Sequence, residues 1–151
     1  MRFEETRTMP IELKKGWDYL NDFRRWPDFY AGFDHIVEPE KGAWSKVGDS
    51  VRFTYRLLGR SIEGVLTLDG RDEGAMVKFS SKIPALPEVI QEWHYTDLDD
   101  RFILRVVLET EGATSFMGRL IEATLLPKAL EKDLKRTMDN LEDIFEMGIP
   151  D

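Results

Sequence analysis

The chain has no cysteine. Disulfide scaffolds, thiolate nucleophiles and thiolate metal sites are excluded, and the sequence fits a reducing compartment such as the cytoplasm. Histidine is nearly absent as well. His35 and His94 are the two present, and neither sits in an HExxH or comparable ligand spacing. No metal and no cofactor is therefore expected. Basic charge is also short. Lys and Arg number 21 against 29 Asp and Glu, for a formal charge of −8. A phosphate backbone calls for a clustered basic face, so no nucleic-acid partner is expected. No run approaches the ~18 apolar residues of a membrane span. Met1-Arg2-Phe3-Glu4-Glu5 lacks the apolar core of a signal peptide. There is no GxSxG elbow. Gly70, Gly74 and Gly112 stand at turn signals, not in a glycine-rich loop ahead of a helix. No internal repeat, low-complexity tract or shift of composition divides the chain, and 151 residues is a length typical of one domain. The expectation is a soluble, acidic, intracellular domain spanning 1–151.

What is present is apolar and regularly spaced. Hydrophobic residues make up 42% of the chain, too many for disorder and enough for a core. Residues 2–9 read as a first strand. Pro10 opens a helical pattern carried by Ile11, Leu13, Trp17 and Leu20. Asn21-Asp22 signals a stop and restart. A second helical piece follows from Phe23 to Tyr30, its regularity limited by Pro27, and Gly32 ends it.

Strands then succeed one another. His35 to Val37 is short and is stopped by Pro39, and a loop with Trp44 inside it follows. Over 51–57, Val51, Phe53, Tyr55 and Leu57 face one way and Arg52, Thr54 and Arg56 the other. Ile62, Gly64, Leu66 and Leu68 share a face, with Gly64 marking a bulge or a sharp bend. Residues 69–74 read as a turn headed by Asp-Gly. Val77 and Phe79 mark the next inner face, Gln91, Trp93 and Tyr95 the one after, with His94 turned outward. Phe102, Leu104, Val106 and Leu108 mark the last. Asp97, Asp99 and Asp100 form a solvated turn between these two strands.

From about Gly118 to Met147, Leu120, Ala123, Leu126, Leu130, Leu134, Met138, Leu141 and Phe145 recur at spacings of three and four. That is one helical stripe. Pro127 kinks this helix or marks where its regular part begins. Asp133 belongs, by this reading, to the wet face with Lys132, Lys135 and Arg136. Consecutive strands joined by short turns imply an antiparallel sheet. The long final helix is the element large enough to cover it. A curved sheet wrapped on a helix leaves a cavity wherever their side chains do not meet.

This order of elements resembles the START/Bet v 1-like superfamily of helix-grip folds, most of all its polyketide cyclase/dehydrase and lipid-transport branch. The residues that carry the resemblance are Arg25-Trp26-Pro27-Asp28-Phe29, Trp44-Ser45-Lys46-Val47-Gly48-Asp49, Leu125-Leu126-Pro127 and Leu141-Glu142-Asp143-Ile144. They are architectural and bring no catalytic residue with them. The resemblance implies an α+β fold of about seven antiparallel strands gripping the C-terminal helix, with two short helices closing one end. It also implies a small hydrophobic ligand in the central cavity.

Candidate ligand-binding residues are Trp26, Tyr30, Phe53, Tyr55, Leu66 and Phe79, then Gln91, Trp93, Tyr95 and Leu104 on the later strands, and Leu120 and Thr124 on the final helix. Tyr55, Trp93, Tyr95 and Gln91 bring polar tips to an apolar face, the mark of a small-molecule site. The leading function is binding of a lipid, polyketide, quinone or isoprenoid-like ligand, as carrier or sensor. A cyclase/dehydrase activity is the alternative, with a tyrosine hydroxyl polarising a carbonyl. A protein-interaction module with a filled cavity is the third reading.

Overall fold

Residues 1–38, 44–57, 59–84, 86–110 and 126–150 are described by the computed structural model. Strand β1 (Arg2–Met9) is followed by α1 (Leu13–Leu20), a 3-10 turn (Phe23–Arg25) and α2 (Trp26–Phe29). Then come β2 (Phe33–Glu38), β3 (Ser50–Leu57), β4 (Arg60–Asp72), β5 (Met76–Lys82), β6 (Val89–Asp97) and β7 (Phe102–Thr110). Helix α3 (Leu126–Met147) closes the chain. The strands form one antiparallel sheet in the order β1-β7-β6-β5-β4-β3-β2. It is a curled half-barrel of the helix-grip type with α3 as the gripped element. No helix among the described residues is long and apolar enough to cross a membrane.

Alternation builds the inner face. Val51, Leu68, Phe102, Leu104 and Val106 are fully or almost fully buried, as are Met9 on β1 and Met138 and Leu141 on α3. The outer face carries crossed charges. Arg52 bonds Glu63 on the neighbouring strand, and Arg105 bonds Glu4 at 3.1 Å. Such exposed pairs set register more than stability.

Several details differ from the sequence reading. Gly64 makes no bulge, because it pairs in register with Phe53. It is a point of close approach: a Cβ there would lie 2.9 Å from Ile83 Cγ1 and 3.0 Å from Phe53 Cζ. The bulge lies at Asp69, between the pairs Leu68–Phe79 and Gly70–Lys78. Strand β4 therefore runs through the apparent Asp-Gly turn and ends at Asp72. The true turn contains Gly74 at φ 75°, where a residue without Cβ is least strained. The piece expected over 23–30 splits into the 3-10 turn and α2, whose first turn holds Pro27. The Asp22 carboxylate accepts from Arg24 N at 3.2 Å and starts the 3-10 turn.

Pro127 likewise lies in the first turn of α3, where its missing N–H costs nothing. The helical stretch expected over 118–125, with Leu120, lies outside the described residues. Two hydrogen bonds fasten α2 and the residues after it to α3: Ala31 N to Thr137 Oγ1 at 3.0 Å and Asn140 Nδ2 to the Phe29 carbonyl at 3.0 Å. Arg7 on β1 reaches Asp139 and Glu142 of α3 from the other side.

Candidate functional site

Between the first half of α3 and the inner face of strands β2 to β7 the side chains do not close. The cavity has a volume of about 70 Å³. That is space for a few water molecules or a slim apolar group as the chain stands. Phe53, Leu66, Val89 and Leu108 supply sheet walls, and Leu130 and Leu134 the helix wall. Ile83, Leu86 and Pro87 of the β5–β6 connection line it as well.

Two polar constellations interrupt this lining. In the first, the Tyr55 hydroxyl donates to Asp133 Oδ2 across the gap from β3 to α3. Burial, and after it the nearby Asp133 carboxylate, hold the Tyr55 hydroxyl well above its usual range. The Asp133 carboxyl is also raised, chiefly by burial. The Tyr55 hydrogen bond and the charges of Lys132 and Arg136 oppose that rise. In the second, Trp93 Nε1 donates to Gln91 Oε1 at 3.0 Å, and Gln91 Nε2 donates to Tyr30 Oη. Burial again raises Tyr30, and the Gln91 bond opposes it. The Tyr30 and Trp93 rings stack, with centroids 6.2 Å apart.

The expected site residues divide. Tyr30, Phe53, Tyr55, Leu66, Gln91 and Trp93 line this cavity. Trp26, Phe79 and Tyr95 line a smaller void behind it, and Tyr30, Leu66 and Trp93 border both. The aromatic set expected as one lining is thus two linings with a shared wall. Leu104 is 0% exposed and lines neither space. It is packing, because on β7 the end of the sheet that Leu104 occupies is filled by side chains. Leu120 and Thr124 lie outside the described residues.

Other members escape the sequence reading. Asp133, expected on the wet face of its helix, stands three residues after Leu130 and four before Thr137, and both of these line the cavity with it. Helical spacing therefore carries the signal. Ser81 continues the inward series Val77, Phe79 by one more step and lines the cavity as well. Trp44, read simply as part of a loop, is 4% exposed and packs edge-on against Trp26, centroids 4.9 Å apart. Among the described residues no three His, Asp or Glu side chains converge as metal ligands would.

A family model described as "Polyketide cyclase / dehydrase and lipid transport" matches residues 1–146. No curated protein matches. Among solved structures, the Zhui aromatase/cyclase from Streptomyces sp. R1128 is similar with a TM-score of 0.75 at 16% identity, over 97% of this chain and 93% of that one. A START superfamily protein from Mycobacterium smegmatis gives 0.73 at 14% identity, over 97% of both chains. TTHA0849 from Thermus thermophilus gives 0.77 at 13% identity, over 99% and 100%. Likeness at such identities establishes the fold.

Proposed function

The chain belongs to the polyketide cyclase/dehydrase and lipid transport family, and from that premise we propose that it binds a small hydrophobic or amphipathic ligand between the sheet and α3, as a carrier or sensor. The observation that carries the reading is the pairing of an apolar cavity with a few convergent polar groups, Tyr55 with Asp133 and Tyr30 with Gln91. That composition is typical of small-molecule sites. The open space is narrow, so a ligand larger than a slim apolar group requires the cavity to widen. In this reading residues 1–151 act as one domain, in the cytoplasm and without a nucleic-acid partner, in keeping with the lack of cysteine and the charge of −8.

One observation favours a second reading, cyclase/dehydrase-type catalysis. The buried Asp133 carboxyl is held above its ordinary range beside the Tyr55 hydroxyl; when protonated it can donate to Tyr55 Oη and free the phenol proton to polarise a carbonyl. Tyr95, the other tyrosine considered for this task, opens on the smaller void instead. For a protein-interaction module the support is thin: the large apolar side chains exposed among the described residues, Met1, Val47 and Met147, lie on three different segments.

Native mass spectrometry after incubation with fatty acids, sterols, quinones and aromatic ketones tests the binding reading. A bound mass from at least one class, released by organic solvent, is expected. A mass of the bare chain with all four classes overturns it. Tyr55→Phe separates the two readings: turnover is abolished if the chain is a catalyst, whereas carriage weakens by no more than one hydrogen bond is worth, about tenfold.

A further inference from the structure

The cavity lining carries a carboxyl and no base. Among the described residues that border it, Asp133 is the one carboxylic acid, and no lysine, arginine or histidine stands with it. The Tyr55 hydroxyl occupies Asp133 Oδ2, and Oδ1 takes no hydrogen bond among the described residues. An asparagine here would accept the Tyr55 proton through its amide oxygen and bring no charge into an apolar space. The hydrogen bond alone therefore leaves the charge unexplained. Lys132 and Arg136 act on Asp133 from its own helix. Both are exposed on the outer side of α3, where solvent and salt screen them.

The wall facing this carboxyl is aromatic. Ring centroids run without a break from Tyr55 to Phe53 at 6.5 Å, on to Phe33 at 4.7 Å, to Tyr30 at 5.5 Å and to Trp93 at 6.2 Å. All five line the cavity. Such rings favour a cation over an anion at their faces. We propose that the cavity recognises a cationic ligand group, an organic ammonium, with Asp133 as its counter-ion and these rings as its wall. The inference rests on the binding reading above and names the charge of the ligand's polar end. An ammonium N–H donates to the carboxylate in a charge-assisted bond, and the carbons next to it pack on the rings. An anionic group at the same point meets like charge and no base to pair with.

Calorimetric titration with octylamine, 1-octanol and octanoate at neutral pH tests this, because the three share a chain and differ in charge. Octylammonium is expected to bind roughly tenfold more tightly than octanol, the worth of one charge-assisted bond, and octanoate more weakly than octanol. Asp133→Asn is expected to erase the preference, the ratio of the two affinities being the readout. A pH series on the unsubstituted chain covers the case in which that variant does not fold. The titratable or charged groups about Asp133 are Tyr55 of β3, Tyr30 after α2, and Lys132 and Arg136 of α3, and Asp133 is the one carboxyl among them. Burial raises it, so the octylammonium-to-octanol ratio is expected to climb as pH rises through that raised range and to level off above it. Butylamine against 1-butanol separates the sources of such a group. A preference already present in the short pair supports a small free amine, and one confined to the octyl pair supports the end of a longer chain. Octylammonium bound no better than octanol, or a preference that survives Asp133→Asn or ignores pH, overturns the inference and leaves the binding reading intact. Binding of none of the three probes also overturns it, and the binding reading then stands or falls by the mass-spectrometric test.

Discussion

From Met138 onward, α3 lies on the sheet with hydrocarbon between them; from Ala129 to Thr137 it lines the cavity instead. Met138, Leu141 and Phe145 are 0–3% exposed and share the core with Met9, Phe102 and Val106, the Phe145 ring lying 6.2 Å from that of Phe102. Their counterparts in the first half, Leu130 and Leu134, border the cavity. Gly16 sharpens the contrast, because a Cβ there would run into the Phe102 ring, so helix α1 closes on β7 with no room to spare. At the packed end the buried Tyr19 hydroxyl has no hydrogen-bond partner among the described residues. At the open end the tips of Tyr55, Tyr30, Gln91 and Trp93 are each bonded to another polar side chain. One helix thus serves as a structural clamp in one half and as the wall of a binding site in the other.

The largest test of that comparison is truncation of matched leucines. Leu141→Ala is expected to cost about 3 kcal/mol of stability in denaturant titration, and Leu130→Ala, beside space already empty, about 1 kcal/mol. Equal costs would mean that the two halves grip alike. Next comes a pair of identical changes. Tyr55→Phe removes the donor to Asp133 and is expected to cost about 1–2 kcal/mol. Tyr19→Phe removes an unpartnered buried hydroxyl and is expected to leave stability unchanged or raise it by up to about 1 kcal/mol.

A third test uses pH. The folded chain holds the Asp133 carboxyl above its ordinary range, so the folded state binds that proton more tightly than the unfolded one. The resulting stabilisation is complete below the ordinary carboxylate range and is lost as pH rises through the raised folded value. Asp133→Asn should therefore match the parent at acid pH and gain on it toward neutrality, as read from denaturation midpoints. The smallest effect is expected on the outer face: Arg52→Ala, which breaks the exposed pair with Glu63, should cost under about 0.5 kcal/mol.

Strand faces were legible because period-two alternation is local and strong. Val51, Phe53, Gln91, Trp93, Tyr95, Phe102 and Leu104 all point inward as their spacing demands. What was not legible depended on distances between elements. Whether an inward residue meets a void or a neighbour is decided by how far α3 stands from the sheet. Leu104 and Leu66 therefore look the same in sequence, yet of the two it is Leu66 that lines the cavity. Asp133 was hidden by its charge, which suits a wet face, until Tyr55 across the gap supplied a partner. Asp69-Gly70 looked like a turn because its composition is that of one, although cross-strand pairing with Lys78 carries the strand straight through. Trp44 lay in a segment without periodicity, where no pattern reports burial.

The bulge at Asp69 has an effect that counting makes plain. By offsetting the pleat by one residue, it sets Arg71 opposite the buried Val77. There Arg71 stacks over the Trp17 ring at 5.2 Å and donates to the Trp44 carbonyl at 2.7 Å. With the same residues in strict alternation from Leu68, and no bulge, Gly70 and Asp72 would turn to the interior and Arg71 to solvent. The one unpaired residue therefore decides which side of the sheet the strand's last segment serves.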